Sequence, residues 1–171
     1  GDAICDVLFG DKVPSGKLTA TMPKSVGQIP LYYNHLNTGR PLKEGKWFSK
    51  FTSNYLDIDN DPLYPFGYGL SYTTFKYGKP TLSSNTMTNN ETISVSVDIT
   101  NTGNYDADEI AQMYIRDLAA SVSRPVKELK GFERISIKKG ETKTVTFTIT
   151  PEDLKFYNQE LEYKNEPDEF E

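Results

Sequence analysis

ISVSVDITNTG, residues Ile93 to Gly103, is the stretch that decides the fold of this chain. Branched apolar residues occupy every second position from Ile93 to Ile99, and serine, aspartate or threonine stands at the positions between and after them. A period of two residues is typical of an antiparallel strand that has one face on a core and the other in water. Asn101, Thr102 and Gly103 then supply a turn. The stretch therefore predicts a half-buried strand that ends in a tight turn.

The same alternation recurs three times further along the chain. The apolar sets that predict these strands are Ala111, Met113 and Ile115, then Phe132, Ile135 and Ile137, and finally Val145, Phe147 and Ile149. Thr150 and Pro151 have the residue types of an N-cap and a first helical position, so one helical turn should follow the last of these strands. Leu161 and Tyr163 indicate a further strand. Short alternating strands separated by turns predict a mainly β fold, an antiparallel β-sandwich over residues 71–171.

The first 36 residues have a different pattern. Residues 2–9 carry apolar side chains at helical spacing and Gly10 follows as a stop, while Lys17 to Met22 alternates like a short strand. One helix and one strand cannot enclose a core. We therefore predict that residues 1–36 are a partial α/β segment, the remnant of a larger domain that covers the apolar side of the helix. Cys5, the single cysteine, excludes an internal disulfide and is predicted to be a small core residue.

Residues 37–70 join these two regions. The segment has no apolar period, is rich in Gly, Pro, Lys, Asn and Asp, and contains Trp47, Phe48, Phe51 and Tyr55. A solvated linker is poor in aromatic residues, so we predict a long ordered connector whose rings pack on a neighbouring surface. The role of residues 44–50 within it is left open.

The charge balance excludes several classes of partner. The formal net charge is −5, and Lys and Arg are scattered among Asp and Glu, so no basic stripe is available for nucleic acid or for an anionic membrane surface. No apolar run approaches the roughly 20 residues that a membrane-spanning helix needs. We predict neither nucleic acid nor membrane as a partner.

Two segments resemble ligand-binding loops without meeting their requirements. Gly10 to Leu18 has five residues between its glycines and a leucine after the lysine, whereas a phosphate-binding loop needs four and a hydroxyl residue. Asp57, Asp59 and Asp61 have the spacing that begins a calcium loop, but residues 62 and 68 are Pro and Tyr where that loop needs Gly and Glu. We predict no cofactor and no metal site, although a weak surface cation site at the three aspartates stays open.

Tyr32, Tyr33, His35 and Arg40 form the one candidate cluster in the sequence. His35 is the only histidine, so a histidine-based metal cluster is excluded within one chain. These side chains could bind a sugar by stacking and hydrogen bonding. The favoured interpretation is a packed polar cluster between domains, because aromatic and Arg residues often serve buried contacts.

A retaining glycosidase needs two carboxylates about 5–5.5 Å apart across the bond that is cleaved. The acidic residues of this chain fall in turns, on outward strand positions or in the tail, where charged side chains are normally solvated. No catalytic residue is therefore predicted.

Three stretches together resemble the C-terminal portion of a glycoside hydrolase family 3 β-glucosidase of the periplasmic bacterial kind. They are Val26 to Pro41 (VGQIPLYYNHLNTGRP), Pro62 to Phe75 (PLYPFGYGLSYTTF) and Arg124 to Glu133 (RPVKELKGFE). The resemblance implies that residues 1–36 are the end of an α/β sandwich domain and that residues 71–171 are a fibronectin type III-like, immunoglobulin-like domain. It also implies that both catalytic carboxylates belong to preceding domains, which would be the partners of this region.

The resemblance further implies a periplasmic or secreted location and a last apolar strand after Glu171. Without that strand a neighbouring strand would keep unpaired backbone groups and could recruit another copy of the chain. We therefore interpret this chain as a noncatalytic structural region of a β-glucosidase. A stand-alone carbohydrate-binding or adhesion sandwich is the alternative.

Overall fold

The computed structural model describes residues 1–43, 46 and 48–171, and the chain divides into two compact units. The first unit contains residues 1–17, 69–113 and 129–165. The second contains residues 18–68, 114–128 and 166–171. Glu44, Gly45 and Trp47 lie outside the described residues, and so does the part of the connector prediction that falls on them.

Most of the regular structure is β. The elements are α1 (Asp2–Phe9), a 3-10 turn (Val26–Gln28), β1 (Phe75–Tyr77), β2 (Thr81–Leu82), β3 (Ile93–Asn101), β4 (Ala107–Ile115), β5 (Glu128–Ile137), β6 (Thr142–Ile149), a second 3-10 turn (Pro151–Leu154), β7 (Phe156–Tyr157) and β8 (Tyr163–Lys164). The mainly β fold class is confirmed. The single turn at Pro151 is also as predicted, with Thr150 and Asp153 forming a capping box. None of the described helices has the length and apolar character that crossing a bilayer requires.

The first unit is an antiparallel sandwich. β3 pairs with β6 over eight residue pairs and with β1 and β2 on its other side, while β4 pairs with β5 in a second sheet. The core lies where the inward residues of the four long strands meet. Its fully buried members are Ile99 of β3, Ala111 of β4, Ile137 of β5 and Val145 of β6, one from each strand. The alternation in the sequence therefore predicts these core positions correctly, but it was wrong for Phe132, which lies three residues before Ile135, on the other face of β5, and is 71 % exposed.

Pro80 explains why the edge of the first sheet consists of two short strands. β1 pairs with the end of β3 and β2 with its middle, and Gly78 between them donates its N–H to the Asp98 carbonyl at 2.8 Å. Proline lacks an N–H and is tolerated only at sheet edges or interruptions. The two strands are thus one edge strand that is interrupted at residues 78–80.

Asn101 closes the turn after β3. Its side chain is fully buried and makes four hydrogen bonds: Oδ1 accepts from Thr73 Oγ1 (2.7 Å) and Gly103 N (3.1 Å), and Nδ2 donates to the carbonyls of Tyr105 (2.7 Å) and Ile137 (3.0 Å). A Cβ at Gly103 would collide with the backbone of residues 73 and 74. The turn predicted from Asn101 to Gly103 therefore also connects three segments of the unit.

α1 ends as predicted at Gly10, which has φ 88° and is in the left-handed region that favours glycine. The apolar side of this helix is open to solvent: Ile4 is 73 % exposed, Leu8 70 % and Phe9 77 %. The prediction for Cys5 was wrong in this structure, because Cys5 lies on the same open side and is exposed.

The predicted strand from Lys17 to Met22 was also wrong. In place of a strand, the second unit has separate backbone contacts at the two ends of this segment. Leu18 N donates to Tyr68 O at 2.8 Å, and Met22 forms an isolated bridge with Tyr64. A strand needs a continuous partner ladder, and here the partner segment turns at residues 65–68, where Tyr68 N donates to Pro65 O at 3.1 Å.

Candidate functional site

The second unit contains the cluster predicted at residues 32–40, and its base is built around Gln28. Ser25 caps the 3-10 turn, and the fully buried Gln28 side chain accepts from Lys24 N (2.7 Å) and donates to the carbonyls of Asp59 and Asp61 (both 3.1 Å). The Gln28 carbonyl accepts from Tyr55 Oη at 3.2 Å. These contacts join the segment before Pro30 to the connector at residues 55–61.

Two of the three connector aspartates, Asp59 and Asp61, accept hydrogen bonds from Gln28 through their backbone carbonyls. The Asp59 carboxylate pairs with Lys24 Nζ at 2.7 and 2.9 Å. Among the described residues no group of three or more His, Cys, Asp or Glu side chains is arranged to hold a metal ion.

A short backbone ladder holds the next part of the cluster. His35 N donates to Tyr32 O at 3.3 Å, His35 O accepts from Val126 N at 2.9 Å, and Leu36 bridges Pro125. The ladder brings together two of the stretches that carry the family resemblance, residues 26–41 and 124–133. No local pattern in either stretch indicates this pairing.

Tyr32 and Tyr33 have opposite environments although they are neighbours. The Tyr33 ring stacks on Phe66 with centroids 4.2 Å apart and meets Tyr114 edge-on at 6.1 Å, so it is a half-buried packing residue of the second unit. Tyr32 is 64 % exposed. Both residues belong to the turn that the His35 N to Tyr32 O hydrogen bond closes, and in this turn Tyr33 makes the packing contacts while Tyr32 faces solvent.

Tyr32 and His35 line an open groove of about 590 Å³ on the second unit. The other lining residues are Pro30, Leu31, Asn37, Thr38, Pro41, Leu42, Ser53, Asn54, Tyr55, Asn60 and Val126. Most side-chain amides of the groove are hydrogen-bonded to neighbouring residues of its wall. Asn60 Oδ1, for example, accepts from Tyr55 N, and Asn60 Nδ2 donates to Ser53 O. His35 Nδ1 lies 3.1 Å from Leu36 O, which directs Nε2 away from that carbonyl. Arg40 is exposed and is not among the lining residues.

Asp117, Arg124 and Glu128 form a charged group that the sequence analysis missed. Arg124 Nε lies 3.3 Å from Asp117 Oδ2, and Arg124 Nη2 lies 3.0 Å from Glu128 Oε2. Asp117 Oδ1 is buried and has no hydrogen-bond partner among the described residues. Burial raises the pKa of Asp117 above its usual value, the Arg124 charge opposes this, and Asp168 adds to it.

The first unit contains a second buried charge, which corrects the expectation that the acidic residues are solvated. Glu109 occupies an inward position of β4 and is only 6 % exposed. Lys17 Nζ lies 3.1 Å from both of its carboxylate oxygens, and Tyr77 Oη donates to Oε1 at 2.8 Å. Burial and this contact with Glu109 raise the pKa of Tyr77.

Comparisons with known proteins agree with this architecture. Residues 1–72 match the model of the glycosyl hydrolase family 3 C-terminal domain, and residues 109–171 match that of the fibronectin type III-like domain. Residues 73–108, which lie between the two matches, form β1, β2, β3, the whole turn after β3 and the first two residues of β4. The structure therefore assigns them to the same sandwich as the later strands.

Several relatives cover almost the whole chain. It is 58 % identical over 170 residues to a periplasmic β-glucosidase of Salmonella typhimurium and 47 % identical over 170 residues to a β-xylosidase of Formosa agariphila, covering 99 % of this chain and 22 % of each relative. A crystal structure of a β-glucosidase from Listeria innocua in complex with isofagomine matches with a TM-score of 0.92 and 46 % identity, covering 98 % of this chain and 23 % of that one. The chain spans about a fifth of the length of these relatives.

The fold and the matches define a segment of the glycosyl hydrolase family 3 C-terminal domain and a fibronectin type III-like sandwich. The chain belongs to glycoside hydrolase family 3, as the three sequence stretches predicted.

Proposed function

We propose that this chain is the noncatalytic C-terminal structural region of a periplasmic or secreted β-glucosidase. The longer enzyme would hydrolyse β-linked glucosides by a retaining mechanism whose two carboxylates lie in preceding domains. The periplasmic name of the Salmonella relative and the small share of each relative that this chain covers support the proposal.

The observation that carries the proposal is the open apolar side of α1. Ile4, Leu8 and Phe9 are each at least 70 % exposed, although they have the spacing of a buried helix face. Covering three such side chains would contribute several kcal/mol at roughly 1.5–3 kcal/mol each. The preceding catalytic domains are the partner that we propose for this face.

The cluster at residues 32–40 has two possible roles in the same proposal. Tyr33 packs within its own unit, whereas Tyr32 and His35 line a groove and Arg40 is exposed. Tyr32, His35 and Arg40 would therefore face either the neighbouring domains or the substrate. Association of two copies through an exposed strand edge, and the division at residues 36 and 70, remain proposals as well.

The test compares the 171-residue chain with the longer enzyme on an aryl β-glucoside. We expect nitrophenol release from the longer enzyme only. In the longer enzyme Leu8→Lys should lower the yield of folded, active protein severalfold, whereas Asp6→Ala, on the polar side of the same helix, should not. Turnover by the 171-residue chain that is lost when one acidic residue is neutralised would contradict the proposal.

A further inference from the structure

Two tyrosines form an exposed pair on the β7–β8 hairpin of the first unit. Tyr157 and Tyr163 are directly opposite each other in the antiparallel register, and their ring centroids lie 5.0 Å apart at an interplanar angle of 43°. Tyr157 is 65 % exposed and Tyr163 48 %. Neither hydroxyl has a hydrogen-bond partner among the residues that the structure describes. The pair therefore offers both an aromatic surface and two unused polar groups.

The hairpin that carries the pair is held firmly at its base. Phe156, the neighbour of Tyr157, is buried. Asn158 Oδ1 is buried and accepts from the backbone N–H groups of Glu160 (3.0 Å) and Glu162 (2.9 Å), and the Asn158 backbone N–H donates to Glu162 O at 3.1 Å. Fixed loops lose little conformational entropy when they bind, so this hairpin is preorganised for a ligand.

Leu161 at the tip of the hairpin has an unfavourable backbone conformation. Its φ is 61°, in the left-handed region that a bulky non-glycine residue rarely adopts, at a cost on the order of 1–3 kcal/mol. The leucine side chain is nevertheless 80 % exposed. Holding the Leu161 side chain in water by a strained backbone does not stabilise the described part of the first unit. Such strain often marks a ligand site, which suggests a binding role for Leu161.

Charged side chains surround this apolar surface. Lys155 Nζ lies 5.7 Å from the Tyr163 ring centroid and 2.6 Å from Glu152 Oε2, and Lys164 Nζ lies 2.7 Å from Glu162 Oε2. The charges of these pairs are balanced. Glu160 near the tip adds one exposed negative charge, so the surface disfavours anions and suits a ligand that has both apolar and hydroxyl faces.

We propose that Tyr157, Leu161 and Tyr163 form a binding platform for a neutral β-glucan chain, and this inference rests on the proposed β-glucosidase function for the class of sugar. The C–H face of a β-glucopyranose ring would stack on a tyrosine ring, and its hydroxyl groups would bond the phenol hydroxyls and the Glu162 carboxylate. Three side chains are far fewer than the roughly 20–30 residues per side of a stable protein interface. A sugar chain is thus a better occupant than a second protein.

The experiment titrates the 171-residue chain with laminarihexaose, using isothermal calorimetry and the tyrosine signals in NMR spectra. Tyr157→Ala and Tyr163→Ala should each weaken binding by at least about tenfold, the effect expected of a central aromatic contact. Tyr163→Phe, which keeps the ring, should retain most of the affinity and controls for misfolding of the hairpin. Tyr105→Ala removes another exposed tyrosine of the first unit and should leave the affinity unchanged.

The outcomes separate this inference from the proposed function. Absence of binding, binding that is unaffected by both alanine variants, or binding lost only in Tyr32→Ala would overturn the platform. A dimer that Tyr157→Ala converts to a monomer would show that the hairpin is a protein interface and would also overturn it. Hydrolysis of laminarihexaose by the chain would refute the noncatalytic function, while the variant affinities would still test the platform.

Discussion

Lys17 and Glu109 are 92 positions apart in the sequence, and Lys17 Nζ lies 3.1 Å from both carboxylate oxygens of Glu109. Glu109 is buried at an inward position of β4, where the strand pattern otherwise has apolar residues. A buried carboxylate is costly unless it is paired and hydrogen-bonded, and Tyr77 completes that environment. The first unit therefore depends on an ion pair that joins its N-terminal segment to its sandwich.

Lys17→Met should destabilise the first unit by about 3 kcal/mol, because it leaves Glu109 buried without a counter-charge. Urea unfolding monitored by tyrosine fluorescence measures the change. Lys24→Met is the matched control, since the Lys24–Asp59 pair is much more exposed and should contribute no more than about 1 kcal/mol. Equal losses in the two variants would show that burial does not govern the Lys17–Glu109 pair.

Asn101→Ala should cost about 3 kcal/mol. The substitution removes four hydrogen bonds and leaves buried groups at Thr73 and Ile137 without their partner, and each such loss costs roughly 1–3 kcal/mol before the structure relaxes. Thermal unfolding provides the measurement. Asn104→Ala, three residues away and exposed, should change stability by less than about 0.5 kcal/mol. A comparable loss at Asn104 would indicate that the turn itself is the sensitive element.

The long strands were predictable from local pattern, whereas the buried charges were not. β3, β4, β5 and β6 each have a period of two that places Ile99, Ala111, Ile137 and Val145 on one face. Glu109 interrupts this pattern, and its partner Lys17 lies far away in the sequence. Local periodicity carries no information about such long-range pairs, so Glu109 was wrongly expected to be solvated.

The sequence around Gln28 contains a helix-capping signal that could have predicted a short turn at this position. Ser25 and Gln28 have the spacing of a capping box, which predicts a short helical turn and a glutamine that folds back on its backbone. Its complete burial depends on the carbonyls of Asp59 and Asp61, which come from an aperiodic connector. The turn was therefore predictable from sequence, but its place at the base of the groove was not.

Protonation of Asp117 should increase the free energy of unfolding of the second unit, whereas protonating the carboxylate of a normal surface ion pair lowers it. Its pKa is raised in the folded chain above the usual 3.8, chiefly by burial, so the folded state binds this proton more readily than the unfolded state does. The contribution of Asp117 to folding is then most favourable at low pH and is lost as pH rises through the raised pKa. Asp117→Asn, which stays neutral, should be more stable than the wild-type chain at pH 7.

The measurement is the difference in unfolding free energy between Asp117→Asn and the wild-type chain from pH 7 to pH 3. We expect the advantage of the variant to shrink as pH falls through the raised pKa, because the wild-type carboxyl then becomes neutral as well. Asp168→Asn should lower the pKa of Asp117, since Asp168 contributes to raising it. A gap between variant and wild type that widens on acidification would show that the Arg124 pair outweighs burial.

Gln28→Met should loosen the groove that Tyr32 and His35 line. Methionine preserves the length of the side chain but loses the bonds to Lys24 N, Asp59 O and Asp61 O, and we expect a loss of about 2–3 kcal/mol in the second unit. Amide hydrogen exchange is the suitable measurement, because the Lys24 amide would lose its acceptor and exchange faster. Ser25→Ala removes only the cap and should cost about 1 kcal/mol. If Ser25→Ala accelerates exchange as much as Gln28→Met does, the cap and not the Gln28 side chain holds the base of the groove.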